Sequence, residues 1–175
     1  MIKKNILRFC LAVSLSASLL AGCGRQADSV SKSCPFSDLT WTNTVADMEK
    51  SEGTEHETYD SVYGGTTYTY PKEYEGVSGT VKYMYDEEEK LASIAWAYGS
   101  DDADELRRLY DTIHADLVAV HGDSSYNNEK ETYYGDVWYL EDGNIIISVM
   151  ITGSQKALQF AYISPTHSTD KDNQK

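Results

Sequence analysis

The chain is poor in positive charge. Fifteen Lys and Arg stand against 28 Asp and Glu, giving a formal net charge of −13 over 175 residues. A nucleic-acid partner needs a basic footprint, so this balance excludes that class. It also means that the folded part is repelled by anionic lipid. Cysteine is scarce, at Cys10, Cys23 and Cys34. Past the first two dozen residues no apolar run approaches the roughly 20 residues that span a bilayer. Catalytic signatures are missing as well: there is no H-E-x-x-H, no G-x-S-x-G, no phosphate-cradling glycine loop and no paired-cysteine zinc site. His56, His114, His121 and His167 are scattered, and Glu87-Glu88-Glu89 reads as a solvated turn. No nucleophile, base and orienting group can be assembled from the sequence. The expectation is a protein that is not an enzyme, with no catalytic residue, no cofactor and no metal site.

What the chain does have begins at its start. Lys3, Lys4 and Arg8 form a positive region, Phe9 to Leu20 an apolar one, and Leu20-Ala21-Gly22-Cys23 closes it. This is the layout of an export signal, with an apolar core too short to span a membrane. The four closing residues resemble a bacterial lipobox: an aliphatic residue, two small ones, then the cysteine that takes a lipid. That resemblance implies cleavage between Gly22 and Cys23 and diacylglycerol on Cys23, with stable anchoring from two or three acyl chains. Residue 24 is Gly; an Asp there would have pointed to inner-membrane retention. Removing the leader takes away three positive charges and no acid, so the mature chain is near −16. With Cys10 removed and Cys23 lipidated, Cys34 stands alone and no internal disulfide forms.

The expected organisation is a signal peptide at 1–22, a flexible tether at 23–35, one domain at 36–163 and a disordered polar tail at 164–175. The small, polar tether reaches on the order of 20 Å. In the domain, Thr44 and Asp47 predict a capping box that starts a helix over Val45 to Glu52, which Gly53 stops. Leu39 and Trp41 fold under it as an anchor. Glu55 to Gly65 is acidic and reads as irregular. The period then changes to two, and Thr66 to Tyr70, Val77 to Tyr85 and Leu91 to Tyr98 read as strands. A turn near Glu88-Glu89 sets Tyr85 opposite Ala92, Tyr83 opposite Ile94 and Val81 opposite Trp96.

Leu106, Leu109, Tyr110, Ile113 and Leu117 form a single helical stripe within Ser100 to His121, with acids in the first turn and Gly122 at the end. Asp123 to Lys130 reads as a polar loop. Thr132 to Leu140, Ile145 to Thr152 and Ala157 to Ile163 are three further strands. Asp142-Gly143 is a two-residue hairpin signal, which pairs Leu140 with Ile145 and Trp138 with Ile147. One face of this hairpin is core. The other carries Tyr133, Val137, Tyr139, Ile146 and Met150, which is apolar for a solvated surface and forms the candidate binding face. The fold class that follows is α+β in two layers: a helix plus three antiparallel strands, repeated twice, with the helices packed on one face of an antiparallel sheet.

Leu39-Thr40-Trp41 leading into a capped helix that ends in Glu52-Gly53, then a tyrosine-rich meander, resembles small bacterial lipoproteins of the β-lactamase inhibitor protein-like fold. The second helix ending in His121-Gly122, followed by Val137-Trp138 and a hairpin, is similar to the same group, which also includes the small lipoprotein of the outer-membrane assembly machinery. Thr42 and Ser51 depart from that pattern, and no functional residue carries over. The resemblance implies a non-catalytic binding role. The expected function is thus a lipid-anchored, extracytoplasmic domain on the cell membrane or outer membrane that binds an envelope or extracellular protein. The alternative is a binder of a small ligand, a glycan or Ca²⁺, and an envelope hydrolase is a third reading.

Overall fold

The computed structural model describes residues 34–153 and 155–168. It is organised by an eight-stranded antiparallel sheet crossed on one face by two helices. The elements run in chain order as α1 (Val45–Glu52), β1 (Glu57–Asp60), β2 (Gly64–Tyr74), β3 (Val77–Asp86), β4 (Leu91–Gly99), α2 (Ala103–His121), β5 (Tyr126–Lys130), β6 (Tyr133–Leu140), β7 (Gly143–Thr152) and β8 (Gln155–Ile163). Across the sheet the order is β1-β2-β3-β4-β8-β7-β6-β5. Each half of the chain therefore builds its own run of strands outward from the middle, and the halves meet where β4 pairs with β8.

This corrects the expected fold class. The described residues are 49% strand and 20% helix, in a single eight-stranded sheet, rather than a helix-plus-three-strand unit repeated in two layers. The difference lies in β1 and β5, which occupy stretches read as irregular loops. Every residue of β1 is exposed, and β5 (Tyr-Asn-Asn-Glu-Lys) is nearly so. A short edge strand bonds to one neighbour and is wetted on both faces, so it carries no apolar alternation to detect. β2 also runs past Pro71 to Tyr74, because β1 stops pairing at Thr69 and the missing proline N–H faces no neighbour there.

The core lies between the helices and one face of the sheet. From that face Val81, Tyr83, Ile94, Trp96, Phe160, Tyr162, Ile145, Ile147 and Trp138 meet Met48 of α1 and the Leu106–Leu117 stripe of α2. An eight-residue helix has little stability of its own. α1 is held at both ends instead. Thr44 and Asp47 form the capping box, the Tyr85 hydroxyl donates to Thr44 O at 3.2 Å, Tyr83 donates to Glu52 at 2.6 Å and Tyr70 donates to Gly53 O at 2.8 Å. Three core tyrosines thus place their rings among apolar side chains and their hydroxyls on the helix.

Two registers differ from expectation. A bulge after Met84 sets Tyr85 opposite Leu91, while Tyr83–Ile94 and Val81–Trp96 pair directly. The β6–β7 hairpin turns on Glu141 and Asp142, so Trp138 faces Ile145 and Leu140 faces Gly143. Gly143 belongs to the strand: its φ is +121°, and a Cβ there would lie 2.1 Å from the Ile163 carbonyl oxygen. The pairing is displaced by two residues, which leaves every side chain on its original face.

Candidate binding face

Alternation along the strands sends one set of side chains to the helices and the other to the opposite surface. No helix covers that surface among the described residues. β6 and β7 bring Tyr133 opposite Met150, Val137 opposite Ile146 and Tyr139 opposite Asn144, and β5 adds Tyr126 beside Val137. The five residues of the candidate face therefore form one cross-strand patch. Tyr126, Tyr133 and Met150 are 49, 42 and 46% exposed, large values for apolar side chains on a sheet. Toward the centre the face turns small, with Ala95 opposite Ala161 and Ala97 opposite Gln159 across β4 and β8. A depression of about 510 Å³ opens beside Met150 and Ala157. The 55–65 segment does not cover the patch, since β1 pairs at the far edge of the sheet.

Electrostatics separate this surface from the rest of the molecule. By strand alternation it carries three acids, Glu57, Glu73 and Asp86, against two lysines, Lys82 and Lys130, a net charge of only −1. The chain as a whole is at −13, so the acidity sits on the helices, turns and edges. The Tyr139 hydroxyl is enclosed and has no hydrogen-bond partner among the described residues.

Two polar clusters elsewhere were missed by sequence reasoning. Asp136, 1% exposed, lies on the helix side of β6 between Tyr134 and Trp138. The Tyr110 hydroxyl donates to its Oδ2. Ser124 and Asn127 donate to Oδ1 at 2.5 and 3.1 Å, and His114 Nε2 stands 3.7 Å from Oδ2. Burial, and then the carboxylate, push the Tyr110 phenol well above its ordinary value. The signal was present: an acid between two aromatic core positions of one strand can only be a partnered buried carboxylate. The network joins α2, β5 and β6, and none of the described cavities reaches it.

The second cluster orders Ser164, His167 and Asp86. Asp86 can only accept, so His167 Nε2 donates to it at 3.0 Å, and the Ser164 hydroxyl donates to Nδ1 at 2.7 Å. These are the residue types of a hydrolytic triad. Ser164 is, however, 1% exposed, and it shares one tight turn with His167, whose backbone N–H donates to Ser164 O at 3.0 Å. The arrangement is a turn lock. With Ser168, which donates to Ser164 O at 2.8 Å and accepts from Asn144 N at 3.0 Å, it ties residues 164–168 to the sheet. Those five residues, expected to begin a disordered tail, extend the domain.

Cys23 and Gly22, with the leader and most of the tether, lie outside the described residues. Cys34 is half-buried, and burial pushes its thiol up to about 12. Among the described residues no three of His, Cys, Asp and Glu converge to hold a metal ion, and no helix is long and apolar enough to cross a membrane. No family model matches the chain, and no curated protein and no solved structure is similar to it, so neither the lipoprotein reading nor the likeness to the β-lactamase inhibitor protein fold gains support from a relative.

Proposed function

We propose that the protein is a lipid-anchored, non-catalytic binding module that presents the helix-free face of its sheet to a protein partner outside the cytoplasm. The observation that carries this reading is the cross-strand patch of Tyr126, Tyr133 and Met150, exposed, with Val137 and Ile146 half-buried between them, on a face of nearly neutral charge in a strongly acidic molecule. Two acidic surfaces repel; a neutral aromatic surface does not, and fully burying one such side chain is worth ~1.5–3 kcal/mol. The partner is accordingly a protein with a flat, weakly charged, apolar surface. The anchor rests on the lipobox-like Leu20-Ala21-Gly22-Cys23, which would hold the domain within tether reach of a membrane.

A photo-crosslinking side chain placed at Tyr133 in living cells tests the face, with the same group at Ala119 on α2 as control. A discrete protein adduct formed only from position 133, and lost with Met150→Ser, is the expected result. Equal adducts from both positions, none, or only a dimer of this chain overturns the reading. For the anchor, Cys23→Ser is expected to move the protein from the membrane fraction to the soluble one; unchanged partition refutes it.

A further inference from the structure

At one end of the sheet, away from the candidate face, the approach to α1, the β3–β4 turn and the β6–β7 turn enclose a cavity of about 680 Å³. That volume falls within the ~300–1,000 Å³ of small-ligand sites. Its apolar wall is Trp41 with Leu91. The indole N–H donates to Asp142 O at 3.3 Å across 101 residues of chain, which fixes the ring over the seam between the two halves. Three acidic residues, Glu89, Glu141 and Asp142, also line the cavity. None of the three has an ion pair among the described residues; Lys90 also lines the cavity, its ammonium paired with Glu88 outside it.

An aromatic ring with unneutralised carboxylates beside it is the chemistry of ammonium recognition, since the ring face and the carboxylates attract the same charge. The carboxylates do not converge closely enough to hold a metal ion, so they suit an extended cation carrying charge at more than one point. The net charge of −13 steers such a ligand inward.

We infer that this cavity is a binding site for an organic cation: a primary ammonium on an apolar stem, as in a polyamine or a lysine side chain. The site is independent of the sheet face and stands or falls separately from the protein-binding reading. Trp96 and Trp138 are fully buried, so a ligand-dependent change in tryptophan emission reports Trp41.

The test titrates the full chain with spermidine and, separately, with acetyl-Lys-Lys-amide at physiological salt, following emission and heat. Mg²⁺ at matched ionic strength and glycerol serve as controls. Saturable binding at one site by spermidine or by the peptide is expected, and the tighter of the two identifies a free amine or a lysine-bearing chain as the source. In the Glu89→Gln/Glu141→Gln variant, whose sites are exposed and whose melting temperature should be unchanged, affinity should fall by roughly five-fold. Trp41→Phe should retain binding but shrink the emission change. No saturable binding, an equal response to Mg²⁺, or affinity untouched by the double carboxylate variant overturns the inference.

Discussion

Replacing Asp136 with Ala removes the acceptor on which Tyr110, Ser124 and Asn127 converge. Tyr110 is 3% exposed and has no route to water, so its hydroxyl is left buried and unpaired, at about 1–3 kcal/mol. Asn127 is exposed and Ser124 partly so; they rehydrate, and each forfeits only the net worth of a charged hydrogen bond, about 1.5 kcal/mol at most. Relief from burying a carboxylate offsets part of this loss. The expected cost is about 3 kcal/mol, readable as a lower midpoint in urea unfolding with unchanged slope. Tyr110→Phe leaves the other two donors on the carboxylate and should cost about 1–2 kcal/mol. Because both changes break one network, the double variant should fall short of the sum by about 1 kcal/mol. A loss below about 1 kcal/mol for Asp136→Ala, or strict additivity, would refute the reasoning. The network also secures β6, whose alternate residues Tyr133 and Val137 belong to the candidate face, so Asp136→Ala should weaken crosslinking from Tyr133 without touching that face.

The Cys34 thiol, pushed up to about 12 by burial, should resist iodoacetamide near neutral pH, and rapid alkylation of the folded protein would contradict its placement. Burial alone would raise the Asp86 carboxyl, yet the backbone N–H groups of Lys90 and Glu88 and the His167 ring hold it below the usual carboxylate range. Its contribution is therefore complete above the unfolded value near ~3.9 and is lost as pH falls through the lower folded value. Asp86→Asn should reduce the stability difference between neutral and strongly acidic solution; an unchanged acid limb would show the lock to be idle. A fluorophosphonate probe should leave Ser164 unmodified, and labelling that disappears in Ser164→Ala would convert the turn lock into a nucleophile. Gly143→Ala should destabilise by about 2 kcal/mol or more, through both the steric contact with Ile163 O and the positive φ; a neutral effect would place the turn elsewhere.

Some of this fold was legible because its signals are local. Thr44 and Asp47 mark where α1 starts, and the stripe from Leu106 to Leu117 marks the buried side of α2. The candidate face was legible for a sturdier reason: the side-chain period of two survived a pairing error of two residues. Had Asp142-Gly143 displaced the register by one, Tyr133 and Met150 would have been assigned to the core. The edge strands were not legible, because wet, polar residues such as those of Tyr126–Lys130 form strands only when a neighbour offers its backbone. Long-range assemblies escaped for a different cause. Trp41 meets Asp142, and His167 meets Asp86, across spans of chain that no spacing rule connects.

The strand order has a consequence for how the molecule comes into being. β8 is the last strand in chain order among the described residues and the one inserted in the middle, with β4 on one side and β7 on the other. Until Gln155–Ile163 is available, the chain can form only two separate ribbons, each ending in a bare row of amides and carbonyls. The final strand is a keystone. A chain that stops short of it has no complete sheet and two adhesive edges, and the core closes only once Gln155–Ile163 has joined the two ribbons.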